Sequence, residues 1–123
     1  MPRILIVDDQ VGIRRLLTEV FKDCGYEIET CASGVKALEI MSEFKPDLLL
    51  MDVKMPGMNG IDVLKKIREE NDRQIKVIMM TAYGDQEHIN TAEELGVVGF
   101  IIKPFDINEL REQIKDVLRE KEE

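Results

Sequence analysis

Residues 46–60 read Pro46-Asp47-Leu48-Leu49-Leu50-Met51-Asp52-Val53-Lys54-Met55-Pro56-Gly57-Met58-Asn59-Gly60. The block Leu48–Met51 is apolar at every position, shorter than a helix and without the alternation of a half-exposed strand. It fits a strand covered on both faces, as in a parallel sheet. The strand ends on a carboxylate, Asp52. Behind it, Gly57 and Gly60 in PGMNG fit a tight turn into the next helix.

Four more short runs flank this block at intervals of roughly 20 to 30 residues: Ile4–Val7, Tyr26–Cys31, Val77–Met80 and Gly99–Ile102. Three are again solid apolar blocks. Tyr26-Glu27-Ile28-Glu29-Thr30 alternates instead and reads as a half-exposed edge strand. Helical periodicity fills the gaps. Ile13, Leu16, Leu17, Val20, Phe21 and Cys24 span an arc of about 140° and stop at Gly25, a natural helix-ending residue. Ala37, Leu38 and Met41 carry a second helix that ends before Pro46, and Ile61, Leu64 and Ile67 a third. Ile89, Ala92 and Leu95 before Gly96 give the weakest pattern. Asp106 and Glu109 form a capping-box-like start ahead of Leu110, Ile114, Val117 and Leu118, and the charged residues after Leu118 read as a fraying helix end. The chain is βα five times over: one doubly wound α/β domain across residues 1–123, with no output domain.

With 44% hydrophobic and 34% charged residues the composition is that of a globular domain. A net charge of −8 argues against nucleic acid or an anionic membrane as partner, since phosphates are repelled on average. No apolar run approaches the roughly 18 residues of a membrane span. Met1-Pro2-Arg3 leads into only four apolar residues before two aspartates, so no signal peptide is expected. The expectation is a cytoplasmic protein, monomeric by default, with Cys24 and Cys31 reduced and packed as small hydrophobes.

In open α/β sheets, ligands bind beyond the carboxyl ends of the strands, where the strand order reverses. Those positions hold Asp8-Asp9, Asp52, Thr81 and Lys103-Pro104. If the sheet takes the order 2-1-3-4-5, one of the common doubly wound arrangements, three carboxylates meet at one edge. Two carboxylates about 4 Å apart repel by several kcal/mol at an effective dielectric of about 20. A structural sheet has no reason to collect three, whereas Mg²⁺ takes oxygen ligands and shares its shell with phosphate oxygens. A hydroxyl and an ammonium complete a phosphoryl-transfer set. Asp52 would be the nucleophile and carry an acyl phosphate, Asp9 with Asp8 behind it would hold the metal, and Lys103 and Thr81 would contact phosphate oxygens. Taken singly, each residue has an ordinary alternative: Asp8, Asp9 and Asp52 as helix caps, Thr81 as a strand end, Lys103 as a surface charge. Their conjunction on one edge favours the chemistry.

The segments ILIVDDQ (4–10), PDLLLMDVKMPGMNG (46–60), VIMMTAYG (77–84) and FIIKPF (100–105) resemble the receiver domain of two-component response regulators over essentially the whole chain. DDQVGIRRLL, MTAYG and KPFDINEL bring it nearest the stand-alone regulators of sporulation phosphorelays. The resemblance implies Mg²⁺-dependent phosphoryl transfer from a histidine kinase to Asp52, with the metal on Asp9, Asp52 and the backbone carbonyl of Lys54, assisted by Asp8. It places Thr81 and Lys103 at phosphate-sensing positions and Phe100 at a switch aromatic that follows Thr81. It also implies a cis Lys103–Pro104 bond. Lys54 and Tyr83 are bulky where smaller or acidic residues also occur, and are expected to crowd the water that would hydrolyse the acyl phosphate.

The first helix has a broader apolar arc than a stripe of about 100° requires, which suggests Ile13 and Leu16 as exposed docking residues, with Arg14 and Arg15 suiting an acidic partner helix. By resemblance, that face with Gln10, Tyr83 and the Pro104-Phe105 loop would meet both a kinase's histidine helix and a histidine phosphotransferase. His88, in a polar stretch, reads as a surface residue, and the methionines read mostly as packing. The favoured function is a phosphorelay acceptor. The alternative is a chemotaxis-type regulator that acts by phosphorylation-dependent binding to a target. A Mg²⁺-dependent phosphatase would need an acid/base aspartate two residues after the nucleophile, where Lys54 stands. A nucleotide-binding enzyme would need a glycine-rich phosphate loop after the first strand, which is missing.

Overall fold

A computed structural model describes residues 1–70 and 75–122, the side chains of 120–122 excepted. Strands and helices alternate along it: β1 (Arg3–Val7), α1 (Val11–Asp23), β2 (Glu27–Cys31), α2 (Gly34–Phe44), β3 (Leu48–Asp52), α3 (Gly60–Glu70), β4 (Lys76–Ala82), α4 (Gln86–Glu94), β5 (Gly99–Lys103) and α5 (Ile107–Glu122). The five strands form one parallel sheet in the order β2-β1-β3-β4-β5.

The solid apolar blocks are explained by the two cores they fill. Side chains alternate across a strand. Leu5, Val7, Leu49, Met51, Val77 and Met79 face the side covered by α2, α3 and α4, where Ala37, Leu64 and Ala92 meet them. Ile4, Ile6, Leu48, Leu50, Ile78 and Met80 face α1 and α5, through Leu17, Phe21, Leu110 and Ile114. Each large aliphatic side chain so buried contributes roughly 1.5–3 kcal/mol relative to exposure. In β2 the exposed Glu27 and Glu29 alternate with the half-buried Ile28 and Thr30, as an edge strand should.

Helix ends follow local chemistry. Gly25 closes α1 at φ 89°. Lys45 closes α2 in the left-handed region at φ 50°, with Pro46 behind it excluding further helix. Ser33 caps α2 by accepting from the Lys36 N–H at 3.2 Å, and the Asn59 side chain accepts from the Asp62 N–H at 2.9 Å at the start of α3. At α5 the capping box is half realised: Asp106 accepts from Asn108 and Glu109 backbone N–H groups. The charged residues after Leu118 continue α5 to Glu122, and Glu123 lies outside the described residues.

Two arginines tie elements together. Arg3 donates Nη1 to the Phe44 carbonyl at 2.8 Å, while its backbone N–H donates to Asp47 at 2.8 Å. Arg68 of α3 donates to the carbonyls of Leu95, Gly96 and Ile75, so it holds the carboxyl end of α4. Among the described residues of α4, only Ala92 is fully buried.

Candidate functional site

The strand order reverses between β1 and β3, and the crevice beyond their carboxyl ends is where such a sheet offers a ligand site. Val7 pairs with Met51, so the next residues, Asp8 and Asp52, emerge side by side. Asp52 in turn pairs with Met80, which leaves Thr81 one step beyond, and Ala82 pairs with Lys103. Register alone thus brings residues from four chain segments to one edge. Gly60 lets α3 start directly behind β3: a Cβ there would collide with the Asp52 carbonyl oxygen. The Gly60 N–H donates to the Val53 carbonyl at 2.7 Å, fixing the loop around Gly57, which needs its φ of 78°.

The buried polar or charged side chains among the described residues are Asp8, Asp52 (8% exposed) and Thr81 (1%), all at this edge. Carboxylate oxygens of Asp8, Asp9 and Asp52 lie within 4.8 Å of one another. Lys103 Nζ donates to Asp8 Oδ2 at 2.7 Å and to Asp52 Oδ2 at 3.0 Å. Asp8 Oδ1 accepts from the Gln10 N–H at 2.8 Å, so Asp8 is fully engaged by the protein, whereas Asp9 is exposed. Burial pushes the Asp52 carboxyl up from the usual carboxylate range, against the pull of Lys103, and the neighbouring Asp8 charge adds to the rise. Burial alone would lower Lys103, but its hydrogen bonds to Asp8 and Asp52 hold the ammonium above its ordinary value. A carboxylate that ionises reluctantly beside two others is one that a cation would relieve. Hard oxygen donors open to solvent on the Asp9 side suit Mg²⁺ and not a soft metal.

Most expected site residues therefore share one edge. Asp52 caps no helix, since α3 begins at Gly60, so the ordinary alternative for it does not apply. Lys103–Pro104 is cis. Phe100 is half-buried and packs on the α2–α4 side of the sheet. The Thr81 hydroxyl is turned to Asp85, donating to Oδ2 at 3.2 Å. Asp85 Oδ1 meets His88 Nδ1 at 2.7 Å, so His88 is paired at a half-buried position and is not a free surface residue. In the sequence Asp85 shows only as the partner of His88 at a spacing of three, the spacing of a helical pair.

The docking expectations divide. Gln10, Leu16 (44% exposed) and Pro104 are exposed. Ile13 and Phe105 are half-buried against the α1–α5 core, because the helix turns its Ile13 edge, and not its Leu16 edge, toward the sheet. Arg14 is partly committed to the fold, donating to the Asp8 carbonyl at 2.7 Å. Tyr83 is 90% exposed.

The fold and this edge together define a class, and the chain matches the model of the response regulator receiver domain over residues 4–115. The chain belongs to that family of signalling domains. Among its relatives, sporulation initiation phosphotransferase F of Bacillus subtilis (strain 168) is 49% identical over 116 residues, covering 94% of this chain and 93% of that protein. Regulatory protein AtoC of Escherichia coli (strain K12) is 43% identical over 108 residues, which cover 88% of this chain but 23% of AtoC. A response regulator receiver domain protein (CheY-like) from Methanospirillum hungatei JF-1 has a TM-score of 0.92 at 33% identity, over 99% of this chain and 97% of that one. The chemotaxis protein CheY4 of Vibrio cholerae gives 0.88 at 30% identity, over 95% and 98%.

Proposed function

We propose that this chain acts as the response regulator of a phosphorelay, taking a phosphoryl group from a histidine kinase onto Asp52 and passing it to a histidine phosphotransferase. The observation that carries the reading is the buried Asp52 beside Asp8, bridged by Lys103, at the sheet's switch point. The likeness to a sporulation phosphotransferase across nearly its full length supports the relay. The similarity to CheY4 favours, as the second reading, regulation by phosphorylation-dependent binding to a target.

In the proposed transfer an Asp52 carboxylate oxygen forms the new bond to phosphorus. The P–N bond of the phosphohistidine breaks, and its electron pair stays on the imidazole nitrogen, which takes up a proton. Lys103, already held between Asp8 and Asp52, donates to a phosphoryl oxygen without a large movement. The Thr81 hydroxyl turns to a second oxygen, and Phe100 follows it. Asp9, Asp52 and the Lys54 carbonyl, with Asp8 behind, would hold Mg²⁺, which supplies charge neutralisation for phosphoryl transfer. The chain promotes its own phosphorylation and slow dephosphorylation but turns over no separate substrate. Gln10, Ile13, Arg14, Leu16, Tyr83, Pro104 and Phe105 form the face offered to both histidine partners. Among the described residues no helix is long and apolar enough to cross a membrane, and a cytoplasmic site of action belongs to this proposal.

Intact-protein mass after incubation with Mg²⁺ and a small-molecule phosphodonor tests the reading. One added phosphoryl group is expected for the native chain, and none for Asp52→Asn or without metal. Phosphate released in the same tube is counted, because rapid turnover would hide the adduct. The absence of both adduct and released phosphate would overturn the assignment of Asp52.

A further inference from the structure

Asp85 stands at the N-cap of α4, where a carboxylate ordinarily accepts from backbone N–H groups of the first turn. It makes no such cap. One oxygen accepts the Thr81 hydroxyl at 3.2 Å and the other meets His88 Nδ1 at 2.7 Å. Burial would raise the Asp85 carboxyl, but hydrogen bonds from His88 and Thr81 outweigh it and hold the group below the usual carboxylate range. An ionised carboxylate only accepts, so His88 Nδ1 carries the proton between them. Thr81 is buried, and its hydroxyl has one hydrogen to donate. It cannot serve Asp85 and a phosphoryl group on Asp52 together.

We propose that Asp85, braced by His88, is a positioning residue that holds the Thr81 hydroxyl away from Asp52 and so sets how readily the phosphorylated conformation forms. The inference rests on the reading of Asp52 as acceptor and Thr81 as the hydroxyl that senses the phosphoryl group. His88 fixes the Asp85 carboxylate from the side opposite Thr81, which keeps it from returning to the helix start as a cap. Removing Asp85 takes away the acceptor that the Thr81 hydroxyl uses here and frees its hydrogen for a phosphoryl oxygen on Asp52. Because the side chain caps nothing, its loss does not unwind α4 through the backbone.

The test is the affinity for beryllium trifluoride, a phosphoryl analogue, measured by calorimetry at saturating Mg²⁺. Asp85→Ala is expected to bind about five- to tenfold more tightly than the native chain, the scale of one ordinary hydrogen bond. His88→Ala should shift the same way but less, and Asp85→Asn, which keeps a neutral oxygen acceptor, should fall between native and Asp85→Ala. Thr81→Val should bind more weakly, and adding Asp85→Ala to it should change nothing further. That non-additivity separates positioning of the hydroxyl from a general effect on α4. Unchanged or weaker binding by Asp85→Ala, or an equal gain in the Thr81→Val background, overturns the proposal. If Thr81→Val binds like the native chain, or Asp52→Asn retains binding, the underlying site reading fails instead.

Discussion

The two ends of the sheet carry similar charged groups and use them differently. At the amino end, Arg3 donates to the Phe44 carbonyl, lies 3.4 Å from Glu27 and has its guanidinium 5.7 Å from the centre of the Phe44 ring, while Asp47 accepts from the Arg3 backbone. These contacts lie within the protein and join β1, β2 and the α2–β3 connection. At the carboxyl end one ammonium faces three carboxylates, two of them buried and the third open to water. At the amino end the guanidinium and both carboxylates are engaged by neighbouring protein groups and join elements of the fold. A ligand site leaves a defined remainder, here of the sign and size that suits a divalent cation.

Substitutions at each end can break this contrast. Gly60→Ala should have the largest effect, about 1–3 kcal/mol of stability by urea unfolding, because the new Cβ meets the Asp52 carbonyl and the end of β3 must shift. It should slow phosphoryl uptake as well. Arg3→Met should cost about 1–2 kcal/mol through the lost hydrogen bond to the Phe44 carbonyl and the lost contact with Glu27, while leaving phosphoryl uptake at the native rate. Slower uptake by that variant would show that the two ends are not independent. Asp52→Asn should act in the opposite direction and raise the melting temperature by roughly 2–5 °C in metal-free buffer at neutral pH. The sign follows from the raised Asp52 carboxyl. A native state that binds the proton more tightly loses stability as pH rises through that raised value. The advantage of Asn is therefore present at pH 7 and fades below the ordinary carboxylate range, near pH 4. An advantage that grew on acidification would contradict this account.

The elements were readable because burial on both faces leaves its mark on composition. Leu48–Met51 and Ile4–Val7 have no polar residue to spare for solvent, and both are strands, each extended by one residue at an end. The site was legible for the same reason, since Asp8, Asp52, Thr81 and Lys103 each follow such a block. What stayed hidden depends on three-dimensional approach. Gly60 reads as a turn glycine, but what demands glycine there is the backbone of Asp52 passing behind it. The apolar arc of α1 does not say which edge faces the sheet: both Ile13 and Leu16 read as candidate exposed docking residues, and only Leu16 is exposed. Thr81 was placed correctly on the edge, yet its hydroxyl points along a hydrogen bond to Asp85 that no strand pattern encodes.

The grip of Arg68 on Leu95, Gly96 and Ile75 has a mechanical consequence. It pins one end of a helix of nine residues, about 13 Å long, whose other end is held near Thr81 by Asp85 and which buries little between. Such a helix is a lever with its pivot at the arginine. Substitutions that release Asp85 are therefore expected to loosen the end beside Tyr83 and to spare the end beside Gly96, a difference that amide hydrogen exchange along the helix would read.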